Sequence, residues 1–106
     1  MKILLNNDDL IEALKNVKNL GFVPTMGSLH KGHISLIKKC KKQCKNIIVS
    51  IFVNPRQFNN KKDFDTYPRN HKKDLNILKK LNVNFVYKPN VQNIYNFKRP
   101  KKIKLN

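Results

Sequence analysis

Two histidines three residues apart, His30 and His33, close the stretch Phe22-Val23-Pro24-Thr25-Met26-Gly27-Ser28-Leu29-His30-Lys31-Gly32-His33. An apolar lead, a proline, a glycine and then the imidazole pair suit a strand whose end delivers a loop into the start of a helix. α/β proteins place ligands at such junctions. A helix N-terminus presents unpaired backbone N–H groups and the positive end of the helix dipole, so the site suits phosphate. Three-residue spacing puts both rings on one face of the first turn. Gly27 and Gly32 permit close approach of a ligand to the backbone. An imidazole with an unperturbed pKa of about 6.5 can also exchange a proton near neutrality.

The flanking sequence must supply the elements that hold this loop. Ile3 to Leu5 read as a short edge strand. Asp8 is a plausible N-cap for a helix whose Leu10, Ile11, Leu14 and Val17 recur at amphipathic spacing, and Gly21 is expected to end it. Phe22-Val23 then forms a brief strand. From Ser35 to about Lys45, Ile34, Ile37, Cys40, Lys41 and Cys44 keep helical spacing. Ile47 to Val53 is apolar at nearly every position, as in a parallel strand buried on both faces. Strand, helix, strand over this length is a βαβ unit. Asn54-Pro55-Arg56-Gln57-Phe58 closes its second strand, and residues 59–68 read as loop. A further helix from Asn70 carries Leu75, Leu78 and Leu81 on one stripe, with Asp74 and Lys79 outside it and Asn82 as C′ residue. Val83 to Tyr87 is a last strand. The pattern predicts an α/β fold with a parallel sheet and flanking helices. Residues 96–106 form a basic tail without usable periodicity, read as disordered.

With 106 residues and 40% hydrophobic content the chain has material for one core. The formal charge of +17 comes from 23 Lys+Arg against 6 Asp+Glu and on its face suits a polyanion partner. Arginine, however, occurs only at Arg56, Arg69 and Arg99, and lysine, asparagine and isoleucine abound together, a composition that A/T-rich coding produces whatever the function. Arginine and interleaved aromatics, on which nucleic-acid readers lean, are sparse, so no specific nucleic-acid partner is expected. Cys40 and Cys44 read as buried helix residues, with no further Cys or His pair at metal-ligand spacing. His71 falls at no motif and is given no role. No signal-peptide pattern and no transmembrane run is visible, which predicts a cytoplasmic protein with no membrane partner.

Three blocks together carry more than composition does. Pro24 to His33, then Ser50-Ile51-Phe52-Val53-Asn54-Pro55-Arg56-Gln57-Phe58, then Asp63 with Tyr67-Pro68-Arg69 closely resemble the pantothenate synthetase (pantoate–β-alanine ligase) family within the wider class of HxGH nucleotidyltransferase-like enzymes. The resemblance implies an ATP-dependent acid–amine ligase that makes pantoyl adenylate and joins it to β-alanine, with Mg²⁺ accompanying the ATP. It implies that Met26, Gly27, Ser28, Leu29, His30, Lys31, Gly32 and His33 contact ATP, with His30 and His33 catalytic and the acid–base role on His33. It further implies that Gln57 holds pantoate and β-alanine, while Pro24, Thr25, Met26 and Phe58 line the pantoate pocket. Family members are homodimers and considerably longer. The resemblance therefore covers only their N-terminal part, a partial Rossmann-like nucleotide-binding domain over residues 1–95, and implies a truncated chain with little activity alone, or one completed by a second polypeptide; the alternative readings are a basic nucleic-acid-binding protein or a nonfunctional remnant. Arg56 stands where the family usually has an uncharged residue beside its glutamine.

Overall fold

The computed structural model describes residues 1–90; the expected tail and the end of the expected domain lie outside the described residues. Four strands, β1 (Lys2–Leu4), β2 (Leu20–Thr25), β3 (Asn46–Ile51) and β4 (Phe85–Tyr87), form one sheet in the order β1-β4-β3-β2. Every pairing is parallel. Helices α1 (Asn7–Leu14), α2 (Lys31–Gln43), α3 (Lys61–Thr66) and α4 (His71–Lys80) connect them, with a 3-10 turn at Pro55–Gln57. This is the parallel α/β arrangement that the βαβ pattern anticipates.

The core follows from alternation along the central strands. Ile47, Val49 and Ile51 of β3 join Val23 of β2 and Val86 of β4, and Ile37 of α2 and Leu78 of α4 close over them. Ile48 and Ser50 face the other way and are also buried, which is why β3 reads as a continuous apolar run. Tyr87 pairs with Ser50 in register, and its hydroxyl bonds Asn7 at the start of α1. Among the described residues β2 has no partner on its outer side, and Phe22 there is 59% exposed. The edge position also explains how a strand tolerates Pro24.

Several boundaries differ from the sequence expectation. Asn6, not Asp8, caps α1: its Oδ1 accepts from the Asp9 N–H at 2.8 Å, and Asp8 and Asp9 fall in the first turn, where the dipole favours them. The helix stops at Leu14, so Gly21 does not end it. Gly21 is a buried β2 residue on which α2 packs; a Cβ there would lie 2.3 Å from Cys40 Sγ and 2.9 Å from Cys44 Sγ. Cys40 and Cys44 are half-buried against the core rather than inside it. β3 ends at Ile51 rather than Val53, where the chain turns toward the 3-10 segment. Within the expected loop 59–68, α3 forms because Asn60 Oδ1 accepts from the Asp63 N–H at 2.9 Å, a side-chain cap that composition alone hides. Asn82 takes the left-handed conformation expected of a C′ residue, with φ of 59°.

Candidate functional site

β2 delivers its C-terminal end into residues 26–30, and α2 begins at Lys31. Two successive residues bend the chain with positive φ, Gly27 at 84° and Ser28 at 52°. A non-glycine residue pays for that conformation, so something must hold it. Three contacts do. Thr25 Oγ1 donates to the Ser50 carbonyl at 2.9 Å and accepts from the Gly27 N–H at 3.1 Å. Ser28 Oγ donates to the Pro68 carbonyl at 2.9 Å. Beneath the loop, Asp74 of α4 accepts from the Ser28 N–H through Oδ2 at 2.8 Å and from the Leu29 N–H through Oδ1 at 2.9 Å.

Asp74 is the residue that sequence reasoning misplaced. It is only 1% exposed, not on the solvent side of α4. A visible signal did exist, since Asp74, Leu78 and Leu81 stand at the i, i+4, i+7 spacing of one helix stripe. An acid on an apolar stripe asks for buried donors, and the loop amides supply them.

α2 begins earlier than its apolar periodicity suggests because His30 serves as N-cap. His30 Nδ1 accepts from the Gly32 N–H at 3.0 Å, and His33 Nδ1 accepts from the His30 N–H at 3.1 Å. The ring centroids are 4.1 Å apart. An accepting Nδ1 carries no proton, so each neutral ring bears its proton on Nε2. The motif thus presents two Nε2–H donors on one helix terminus. Gly32 makes the arrangement possible, because a Cβ there would lie 2.9 Å from the His30 ring.

His33 is held below the ordinary imidazole value, first by burial and then by the neighbouring His30, with Asp74 opposing. Burial, with Lys88 and Arg69 nearby, lowers His71 in the same direction. The folded chain therefore binds fewer protons at both positions than the unfolded chain. The stability they contribute is present above pH 6.5, the reference value, and is lost as the pH falls below it. In a histidine-resolved NMR titration, His33 is expected to show a midpoint below 6.5, moving upward in His30→Ala. A midpoint at or above that value would contradict the capping geometry.

The other residues singled out by sequence occupy different settings. Thr25 is buried, with its hydroxyl committed within the fold. Leu29 is a core residue at 7% exposure. The amides of Gly27, Ser28 and Leu29 are bonded inside the protein, while the side chains of His30 and Lys31 are exposed. Met26 is half-buried and Pro24 exposed on β2. Gln57 is exposed on the 3-10 turn, which Asn54 caps by accepting from the Arg56 N–H at 3.0 Å. Phe58 packs edge-on against Phe64 and Tyr67, with centroids 5.6 and 5.5 Å away. β2 and β3 are adjacent and parallel, and Phe52 N–H donates to the Thr25 carbonyl, so both motif segments leave the same end of the sheet.

A parallel sheet whose edge strand ends in a clamped glycine turn, followed by a helix capped by two histidines, defines an HxGH-type α/β domain. The profile of the pantoate-beta-alanine ligase family matches residues 2–106, and the chain belongs to that family. It is similar to the pantothenate synthetase of Helicobacter acinonychis, with 47% identity over 99% of this chain and 38% of that protein. The Francisella tularensis subsp. tularensis pantothenate synthetase is 54% identical over 88% of this chain and 37% of its own length. In structure it resembles the Francisella tularensis pantoate-beta-alanine ligase complexed with beta-gamma ATP and beta-alanine, with a TM-score of 0.88, 43% identity, and coverage of 100% of this chain and 42% of that one. The Thermus thermophilus enzyme gives a TM-score of 0.87 at 32% identity, covering 100% of this chain and 38% of that one. The chain thus spans little more than a third of the length of the curated relatives it matches. Among the described residues, no helix is long and apolar enough to cross a membrane.

Proposed function

We propose that these residues form one side of the site of an ATP-dependent acid–amine ligase. In that reaction pantoate's carboxylate attacks the α-phosphate of ATP, giving pantoyl adenylate and pyrophosphate. The amine of β-alanine then displaces AMP and forms the amide. Family membership supports the reaction class and pantoate as the acid, and the ligands of the Francisella structure support ATP and β-alanine as substrates. The observation that carries the site assignment is the paired imidazole cap of α2, clamped from below by Asp74.

Attack at the α-phosphate places negative charge on oxygens that need preorganised donors, and such a site works mainly by positioning and electrostatics. His30 and His33 supply Nε2–H donors, and Lys31 adds a cation at the same terminus. His33 acts here as a neutral hydrogen-bond donor, because protonating its Nδ1 would set a donor against the His30 amide. Gln57 both donates and accepts through its amide, which suits the hydroxyl and carboxylate of the acid substrate. Pro24, Met26 and Phe58 supply apolar surface between the two motif segments, while Thr25 shapes the turn.

Magnesium is a different matter. No group of three or more His, Cys, Asp or Glu side chains among the described residues is arranged to hold a metal, and Asp74 is already committed to two amides. The described residues do not fit a protein-held ion, and no step is routed through one. Homodimerisation and completion by a second polypeptide remain part of the proposal drawn from the family.

The test is a chimera in which residues 1–90 replace the matching segment of the Francisella enzyme, assayed for pantoate-dependent AMP release. We expect turnover, and a fall in kcat of about 100-fold or more in His33→Ala, the scale of losing one transition-state donor. The 106 residues assayed alone should release AMP only near background, because among the described residues β2 is an edge strand that leaves the site open on that side. An inactive chimera that folds, or a His33→Ala chimera with full activity, would sink the assignment.

A further inference from the structure

A second feature lies at the same end of the sheet but is lined by none of the residues assigned above to ATP, pantoate or β-alanine. A cleft of about 580 Å³ opens at the carboxyl ends of β1, β4 and β3, with Leu5, Val53 and Pro89 among its apolar walls. Its basic lining is Arg69, His71 and Lys88, and none of the residues that line it is acidic. Nearby carboxylates are engaged elsewhere: Asp74 holds the Ser28 and Leu29 amides, and Asp65 pairs with Lys61 at 3.0 Å. No acidic side chain within the lining pairs with the positive charge of the cleft.

Arg69 is fixed in place rather than free to sweep. Its Nη1 donates to the Tyr67 carbonyl at 2.8 Å and, more weakly, to that of Asp65 at 3.4 Å; Nη2 donates to the Phe64 carbonyl at 3.0 Å. The guanidinium carbon stands 5.0 Å over the Phe64 ring. These contacts leave Nε–H and one Nη2–H without a bond among the described residues, and a guanidinium with two remaining donors suits a planar two-oxygen acceptor. Its rotamer is ordered before any ligand arrives, so binding loses less entropy there. Burial holds His71 below its ordinary value; Lys88 adds to this, Asp74 opposes it, and Arg69 adds the smallest contribution.

We propose that this cleft is a binding site for a small aliphatic carboxylate, with Arg69 pairing the carboxylate oxygens, Lys88 supplying a second positive charge and the Leu5, Val53 and Pro89 walls covering the hydrocarbon body. A carboxylate without an amino group fits better than an amino acid, because an ammonium would meet like charge at Lys88. The site is distinct from the one argued for pantoate around Gln57 and stands whether or not the ligase reading holds.

The test is titration of the full 106-residue chain with isobutyrate, β-alanine and inorganic phosphate, following the His71 imidazole and Arg69 Nε resonances. Isobutyrate is expected to saturate and to raise the His71 midpoint, since a bound anion offsets Lys88 and Arg69. β-Alanine and phosphate should bind several-fold more weakly, one for its ammonium and the other for want of an apolar body. Lys88→Gln should weaken isobutyrate about tenfold, the scale of one charged hydrogen bond. Arg69→Lys should do the same if circular dichroism shows α3 intact, while Lys88, whose ammonium makes no hydrogen bond or ion pair among the described residues, keeps the test decisive if α3 is lost. Gln57→Ala should leave the titration unchanged, which separates this proposal from the ligase reading. No saturable shift, phosphate binding as tightly as isobutyrate, or indifference to Lys88→Gln would each overturn it.

Discussion

Asp74→Ala is expected to lower the thermal midpoint by more than about 15 °C, the largest effect of any single polar substitution in this chain. The carboxylate is 1% exposed and receives two backbone N–H groups, one per oxygen. Bonds to a charged acceptor are worth about 1.5–3 kcal/mol each, and alanine leaves both amides buried without a partner. For a domain of this size, 1 kcal/mol moves the midpoint by about 4–8 °C. Asp74→Asn keeps the shape but turns an NH₂ toward one amide, so it should recover only part of the loss. Hydrogen exchange supplies the local readout. Ser28 and Leu29 amides should be protected in the parent chain and exposed in Asp74→Ala, whereas rapid exchange in the parent would refute the clamp. Ser28 sits at a φ of 52°, a conformation that relaxes once its amide is released, so the His30 cap should fray with it.

Gly21→Ala should be the most damaging conservative change, lowering stability by about 3 kcal/mol. Added to β2, a methyl group would stand 2.3 Å from Cys40 Sγ and 2.9 Å from Cys44 Sγ, closer than any real packing contact. Either α2 lifts off the sheet or both thiols leave their rotamers, and the helix that lifts is the one whose N-terminus carries His30 and His33. Cys40→Ala in the same chain removes the nearer sulfur and should restore more than half of the loss, a non-additivity that a double-mutant cycle reads directly. Equal denaturant midpoints for Gly21→Ala and the parent would show that α2 does not pack on Gly21 as described.

Comparing these two positions explains which parts of the fold are legible without coordinates. Elements governed by local rules emerge from the chain itself. The period-3.6 stripe of Ile34, Ile37, Cys40 and Cys44 predicts α2, the continuous apolar run beginning at Ile47 predicts a doubly buried β3, and Asn82 announces a left-handed terminus. Boundaries decided by a side-chain hydrogen bond do not emerge. Asn6 and Asn60 look like any other asparagine in an asparagine-rich sequence, yet each caps a helix. Gly21 reads as a helix stop because glycine commonly is one, and only the thiols packed against it reveal its actual purpose.

The candidate site divides in the same way. His30, Gly32 and His33 are neighbours along the chain, and their spacing alone brings the rings to one helix terminus, so the sequence by itself determined the parallel α/β class, the histidine motif and its family. What it could not determine is what lies beneath and beside the motif. Asp74 is 46 residues from Ser28, and its two bonds exist only because α4 packs beside α2 on one sheet face. Arg69, His71 and Lys88 share a cleft only because β4 inserts between β1 and β3. Tertiary structure alone decided that the loop amides are bonded inward, that the imidazoles present Nε2–H outward from their caps, and that three basic side chains, Arg69, Lys88 and the imidazole of His71, converge one strand away. Each of these is a contact between distant segments, and no local periodicity encodes the distance between a helix and a loop it meets only after folding.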